Sequence, residues 1–185
     1  FTRSGYRFGV AHCNFQLRGA ESDEDEVIVA REAARYGVPC YNRRFDTAAE
    51  MERTGESMEM TARRLRYAWF EELRREHGYA AIAVAHHADD SIETFFINLL
   101  RGTGLRGLTG ISTRMGRVVR PLMFASRREI LEYAVAQKIP FREDSSNRST
   151  KYLRNKIRLG LIPRIREINP KFTDLMRRNI ERLTD

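Results

Sequence analysis

Three observations in this 185-residue sequence predict an α/β fold, a parallel sheet with helices on both faces, followed by a small helical subdomain. Short apolar runs near residues 6–12, 38–45 and 79–85 alternate with longer segments of helical periodicity, the pattern of strand–helix crossovers. The third run ends abruptly in His86, His87, Asp89 and Asp90 at the start of a helix, the place where open α/β sheets bind ligands. The last sixty residues or so show helical periodicity with no strand pattern, which predicts a core over 1–122 and a helical subdomain over 123–185.

Taken in order, Phe1 to Gly5 reads as the end of a helix closed by a glycine, and residues 6–12 as a strand with Phe8, Val10 and Ala11 inward. Ser22 reads as the cap of an acidic first turn, with Val27, Ala30, Ala33 and Ala34 as the apolar stripe. Gly37 and Pro39 end that helix, residues 38–45 form the second strand, and 46–55 a connection. Ser57 caps the next helix, whose Met58, Ala62, Leu65, Trp69 and Leu73 recur at core-facing spacing. The third helix, from Asp90 or Ser91 to Arg101, places Ile92, Phe95, Phe96, Leu99 and Leu100 on one side. Glycines at 102, 104, 107 and 110 follow, then a short extended segment at 117–122 broken by Pro121. Ser126 and Glu129 form a capping box, 141–150 is a polar loop, and from 151 the pattern is helical with interruptions at Gly160 and Pro163. Asn169-Pro170 opens the last helix, which buries Phe172, Leu175, Met176, Ile180 and Leu183.

Charge is unevenly distributed. Residues 1–100 carry 13 Lys/Arg and 17 Asp/Glu, a net of −4, and residues 101–185 carry 20 and 8, a net of +12. A basic half on a near-neutral body points to a polyanionic partner, nucleic acid first. No apolar run approaches the length of a membrane span, which argues against a membrane role for this stretch, and no export signal is legible. Cys13 and Cys40 form no CxxC and read as free thiols of a reducing cytoplasm.

Four stretches can carry chemistry. In AHHADDSIET, Asp90 and Glu93 fit a helix start, but four ionisable groups in five residues exceed what a cap needs. Two adjacent histidines with two carboxylates match no standard zinc spacing, so no protein-held metal is expected, and magnesium carried by a nucleotide fits better. RGTGLRGLTG offers backbone N–H groups and arginines to an anion, although Gly102 is also a good helix terminator. Arg63 and Arg66 share a helix face in ARRLRY. Arg154, Lys156 and Arg158, with Asp144, Asn147, Asn155 and Tyr152, mix basic and amide groups suited to phosphate and base contacts.

Together these stretches resemble one family. HCNFQLRG at 12–19, ARRLRY at 62–67, AHHADDSIETFFINLLRGTGLRGLTG at 85–110, VVRPL with SRREI, EDSSN, and YLRNKIR with LIPRIREINP occur in the order found in the tRNA(Ile)-lysidine synthetases. The resemblance covers about 12–172. It implies a bacterial, cytoplasmic enzyme of the N-type ATP-pyrophosphatase (PP-loop) group, with a Rossmann-like sheet and further C-terminal domains that bind tRNA. Such enzymes ligate L-lysine to C2 of the wobble cytidine in isoleucine tRNA with a CAU anticodon. ATP, with Mg2+, converts the C2 oxygen to an adenylate and releases pyrophosphate; the lysine amine then displaces AMP. An oligomer is compatible with the resemblance.

By position, the resemblance implies catalytic roles for His86, Asp90, Glu93 and Arg63. It implies nucleotide contacts for His12, Arg66, Arg101, Gly102 and Gly104, and tRNA contacts for Arg106, Arg154, Asn155 and Arg158. The family's SGGxDS pyrophosphate loop is absent; in the family it lies just upstream of the position of Phe1, so the chain is expected to be truncated before it and inactive alone. Phe15 stands where the family usually has a second histidine, and Ser91 where it often has glutamine. Two other readings stay open. One is a related PP-loop tRNA-modifying enzyme, such as a thiolase, although iron–sulfur members need more than two cysteines. The other is a non-catalytic basic RNA-binding module.

Overall fold

The computed structural model describes residues 1–142 and 152–184. Asp144, Asn147 and Lys151, read from the sequence as part of a polar loop and the helix start after it, lie outside the described residues. Backbone contacts divide the chain into two compact units, Phe1–Ile82 and Ala83–Asp185.

In the first unit, β1 (Val10–Asn14) lies parallel to β2 (Cys40–Arg44), with Val10 opposite Cys40 and Asn14 opposite Arg44. The strand starts later than the apolar pattern at 6–12 implies. Gly9 precedes it at a close approach, where a Cβ would stand 2.6 Å from the Tyr79 hydroxyl and 2.9 Å from the Tyr41 ring. Helix α1 (Ala20–Arg35) begins at Gly19, not Ser22. A glycine with φ 52° allows the earlier turn, and Ser22 is buried inside the helix instead of capping it. Of the stripe assigned to α1, Ala33 is buried while Val27 and Ala34 are exposed.

Residues 46–55, expected to be a connection, contain helix α2 (Thr47–Thr54). The Asp46 carboxylate accepts the Ala49 N–H at 3.0 Å, and Gly55, with φ 69°, closes the C-terminus, so both end signals are present over only eight residues. Helix α3 (Met58–Glu76) starts at Ser57 as expected and buries Thr61 and Trp69.

At the boundary where the second unit begins, β3 (Ile82–Ala83) forms a sheet of order β3–β5–β4 with β4 (Arg114–Met115) and β5 (Val118–Val119). β4 and β5 are an antiparallel hairpin around Gly116, so the extended segment at 117–122 has a partner the sequence did not suggest. The Val84 N–H donates to the Val119 carbonyl at 3.0 Å, and a parallel bridge joins His87 to Leu122. The ladder of β3 is much shorter than the apolar run 79–85, and Ala81, Ala83 and Ala85 are exposed.

Helix α4 (Ala88–Leu100) and helix α5 (Arg127–Ala136) follow, the latter with the expected Ser126–Glu129 capping box. Helix α6 (Leu153–Lys156) passes through a π-helical turn, Ile157–Leu161, into α7 (Ile162–Ile168). The interruption expected at Gly160 and Pro163 is this turn. Pro163 has no N–H to donate to the carbonyl four residues back, and the chain widens there without stopping. Helix α8 (Phe172–Thr184) follows Asn169, whose side chain accepts the Lys171 N–H at 3.0 Å.

The core of this unit is Ile92, Ile157, Ile162, Phe172 and Ile180, with Phe95, Phe96, Ile165 and Met176 against it. Leu99, Leu100, Leu175 and Leu183, expected on buried stripes, are exposed. They lie at the edges of apolar arcs wider than the surface their helices bury, and scattered exposed leucines are ordinary. The α/β class and the helical C-terminal part are thus as expected.

Candidate functional site

The strand–helix junction at 86–93 is built by helix-start chemistry and then put to further use. His87 is the N-cap of α4, and the Asp90 carboxylate at N3 accepts the His87 N–H at 3.0 Å. Carboxylates in a first turn face the positive end of the helix dipole, which accounts for Asp89 and Asp90 being there at all. It does not account for their burial: both are 9% exposed, and Glu93, one turn on, is 1% exposed. Buried carboxylates require partners, and these come from residues far along the chain.

Arg158 meets Glu93 in a two-pronged bond, Nε to Oε1 at 2.6 Å and Nη2 to Oε2 at 3.0 Å, while Nη2 also stands 3.4 Å from Asp90 Oδ1. Arg154 places Nε 3.7 Å from Glu93 Oε2 and donates to Thr94 Oγ1 at 3.4 Å. Asp89 faces elsewhere. Its Oδ1 accepts Arg166 Nη2 at 2.7 Å, and its Oδ2 accepts the Arg127 N–H at the start of α5, also at 2.7 Å. The His87 ring lies 3.5 Å from Asp90 Oδ2 and 3.8 Å from Asp89 Oδ2.

Burial pushes the Glu93 carboxyl above the ordinary carboxylate range, although the hydrogen bond and charge of Arg158 pull the other way. Arg158 is held more firmly protonated, chiefly by its bond to Glu93. Asp90 and Glu93 are therefore a buried pair of carboxylates covered by guanidinium groups, an arrangement able to receive a cation or to take up a proton.

The glycine loop after α4 folds back on the helix. Gly102, with φ 72°, follows the C-cap Arg101. Asn98 Nδ2 donates to the Gly107 carbonyl at 2.7 Å, and the Ile111 N–H donates to Ser91 Oγ at 3.0 Å. Gly110 lies directly against Ser91 Oγ, so no side chain fits there. Arg106 belongs to the 3-10 turn Leu105–Leu108, and Gly104 before it has open space around it. Asn155 is buried in α6.

The remaining predicted residues belong to the first unit. His12 lies on β1 opposite Asn42, and burial lowers its pKa against the opposing pull of Glu26 and Asp25. Two residues along, Asn14 is 2% exposed and its Nδ2 donates to Asp23 Oδ1 and Glu26 Oε2, each at 3.0 Å. The Arg66 guanidinium stands 5.1 Å over the Phe15 ring, so the aromatic at this position is a platform for a cation. Phe15 is stacked on Phe45 at 5.4 Å. Arg63 stands 4.9 Å over Tyr67. Burial drives the neighbouring Cys13 thiol up to about 11, with Arg66 pulling it down by less.

The structure thus brings Asp90, Glu93, Arg154 and Arg158 into one cluster in the second unit, and sets Arg66 against Phe15 and Cys13 in the first. Sequence reasoning missed Arg166 and Asn14, and weighed Asp89 only as a metal ligand. Asp89 was visible as one of a carboxylate pair, and Arg166 sits inside LIPRIREINP; their pairing across 77 residues was not visible. Among the described residues, no three His, Cys, Asp or Glu side chains converge as metal ligands.

The chain is 47% identical over 182 residues to the tRNA(Ile)-lysidine synthase of Parabacteroides distasonis, covering 98% of this chain and 42% of that protein. It is 44% identical over 179 residues to the enzyme of the same name from Chlorobaculum tepidum, covering 97% of this chain and 53% of that protein. The chain therefore spans about two-fifths to half the length of these curated relatives. Among solved structures, it superposes on the U34-tRNA thiolase of Methanococcus maripaludis with its [4Fe-4S] cluster at a TM-score of 0.76, with 14% identity, covering 96% of this chain and 62% of that one. That likeness shows the Rossmann-like α/β fold. The PP-loop domain model matches residues 2–165, nearly the whole chain, and the chain accordingly belongs to the PP-loop family.

Proposed function

We propose that this chain is the catalytic part of a tRNA(Ile)-lysidine synthase, acting on ATP, L-lysine and the CAU-anticodon isoleucine tRNA in the cytoplasm. The observation that carries this reading is 41–47% identity, across nearly all of the chain, to relatives bearing that name. In this reading residues 1–122 form the catalytic core and 123–185 a helical subdomain. The C2 oxygen of the wobble cytidine attacks the α-phosphorus of ATP, pyrophosphate leaves, and the lysine amine then adds at C2 as AMP departs. Mg2+ enters with the nucleotide's phosphates. The amine must lose a proton as its bond to C2 forms.

Asp90 and Glu93 suit the amine, because a buried carboxylate pair attracts an ammonium and can accept its proton; His86 stands at the same junction. Arg63 is assigned to the reacting base or phosphate. His12, Arg66, Arg101, Gly102 and Gly104 are assigned to the nucleotide and Arg106, Arg154, Asn155 and Arg158 to tRNA, with Arg154, Asn155 and Arg158 on the path of nucleotide or tRNA phosphates. The net of +12 over 101–185 supports an RNA partner. The test is lysine incorporation into a transcript of the CAU-anticodon tRNA by the complete protein that carries this chain. Asp90→Ala is expected to lower the rate by roughly 10²–10⁴-fold. An unchanged rate would remove the central assignment.

A further inference from the structure

We infer that Arg158 is an internal counter-cation seated in the carboxylate pair meant for the substrate amine, so that a polyanion that draws Arg158 away strengthens binding of the amine. This rests on the lysidine-synthase reading and adds a coupling between two of its ligands to it. Glu93 is 1% exposed, and both of its oxygens accept from Arg158, at 2.6 and 3.0 Å. The same guanidinium reaches Asp90 Oδ1 at 3.4 Å. The remaining Asp90 oxygen accepts the His87 N–H, and Arg154 stands 3.7 Å from Glu93. An ammonium approaching this pair meets carboxylates already covered by a cation.

The covering cation is itself a phosphate ligand by type. A guanidinium forks onto phosphate as readily as onto carboxylate, and the side chain keeps 19% of its surface exposed. A triphosphate arriving beside Arg158 and Arg154 competes for both. When Arg158 turns to it, Glu93 is left buried without its partner, a costly state that an incoming ammonium relieves. Anion and amine therefore bind with positive coupling through one side chain, and the coupling is reciprocal.

The experiment uses the complete protein, L-lysine and a non-hydrolysable ATP analogue, with affinities read by calorimetry. In the wild type the analogue is expected to tighten lysine binding about tenfold, and lysine to tighten the analogue by the same factor. In Arg158→Gln the coupling disappears, and in Arg158→Lys, which keeps the charge without the fork, it is reduced. Equal lysine affinity with and without the analogue in the wild type overturns the inference and leaves the lysidine-synthase reading standing. So does full coupling that persists in Arg158→Gln. Absence of lysine binding under either condition, with the analogue bound, overturns both.

Discussion

The carboxylate junction of the second unit and the arginine face of α3 in the first handle charge in opposite ways. At the junction, Asp89, Asp90 and Glu93 are buried and answered by Arg166, the Arg127 N–H, Arg158 and Arg154 at hydrogen-bond or ion-pair distances. On α3, Arg63 and Arg66 rest on the rings of Tyr67 and Phe15, and among the described residues no carboxylate lies within ion-pair distance of either. A buried ion pair fixes geometry, because losing one member strands the other. A cation on a ring is held loosely, worth about 0.5–1 kcal/mol at an exposed site, and stays available to a ligand. The junction carries its own counter-charges, whereas the arginine face leaves charge to be answered from outside.

The largest effect that separates the two regions is expected from Arg158→Ala, which should destabilise the protein by about 3 kcal/mol in urea unfolding by leaving Glu93 buried and unpaired. Glu93→Leu combined with Arg158→Met should recover most of that loss while abolishing activity. A double variant as unstable as Arg158→Ala would show that stranded charge is not the cause. Next, Asp89→Asn should cost about 2 kcal/mol, since one oxygen that accepts a charged donor is replaced by an amide. A loss under a few tenths would mean that the Arg166 bond contributes little.

Glu93 also predicts a pH signature. Its folded pKa is raised by burial. Its contribution to stability is therefore fully present below its unfolded pKa, near about 4.3, and is lost as pH rises through the folded value. The stability of Glu93→Gln relative to wild type should improve as pH is raised from acid to neutral, and a difference independent of pH would contradict the direction. The smallest stability change is expected from Arg66→Ala, about 0.5–1 kcal/mol, with a much larger fall in lysine incorporation if the face serves a ligand. Beside it, burial pushes the Cys13 thiol up to about 11, so in a Cys40→Ser background its alkylation should keep accelerating well past pH 9. A plateau near pH 9 would mean that the thiol is not desolvated.

The same contrast explains what was legible in the sequence. Helix caps at Ser57 and Ser126 are local and were readable, as were the strand–helix alternation and the junction itself. Asp46 and Gly55 were equally local signals for α2, but eight residues offer too little periodicity to outweigh a loop reading. Gly19 displaced Ser22 as the start of α1 because a left-handed turn residue competes with an oxygen cap, and the sequence does not say which prevails. The hairpin partner of 117–122 is local, but a two-residue strand at Arg114–Met115 offers no alternation to read; the bonds from Arg158 and Arg166 back to α4 depend on neighbours 65 and 77 residues away. The residues of the cluster could be picked by type and motif, but which cation faces which carboxylate is a property of packing.

The π turn at Ile157–Leu161 sets a phase for everything after it. Ile157 and Ile162 are five residues apart and both enter the same core, a spacing that one wide turn satisfies and a plain α-helix does not. Removing Gly160 would let the backbone close into regular α geometry. With one residue fewer, Ile157 and Ile162 would stand four residues apart in an α-helix, about 40° from alignment, so Ile162, Ile165 and Arg166 would keep their register. The single extra residue is thus absorbed within one turn: its deletion should leave the bonds to Glu93 and to Asp89 both in place, whereas closing the turn into α geometry with no residue removed would swing Arg166 by about 100° and part it from Asp89.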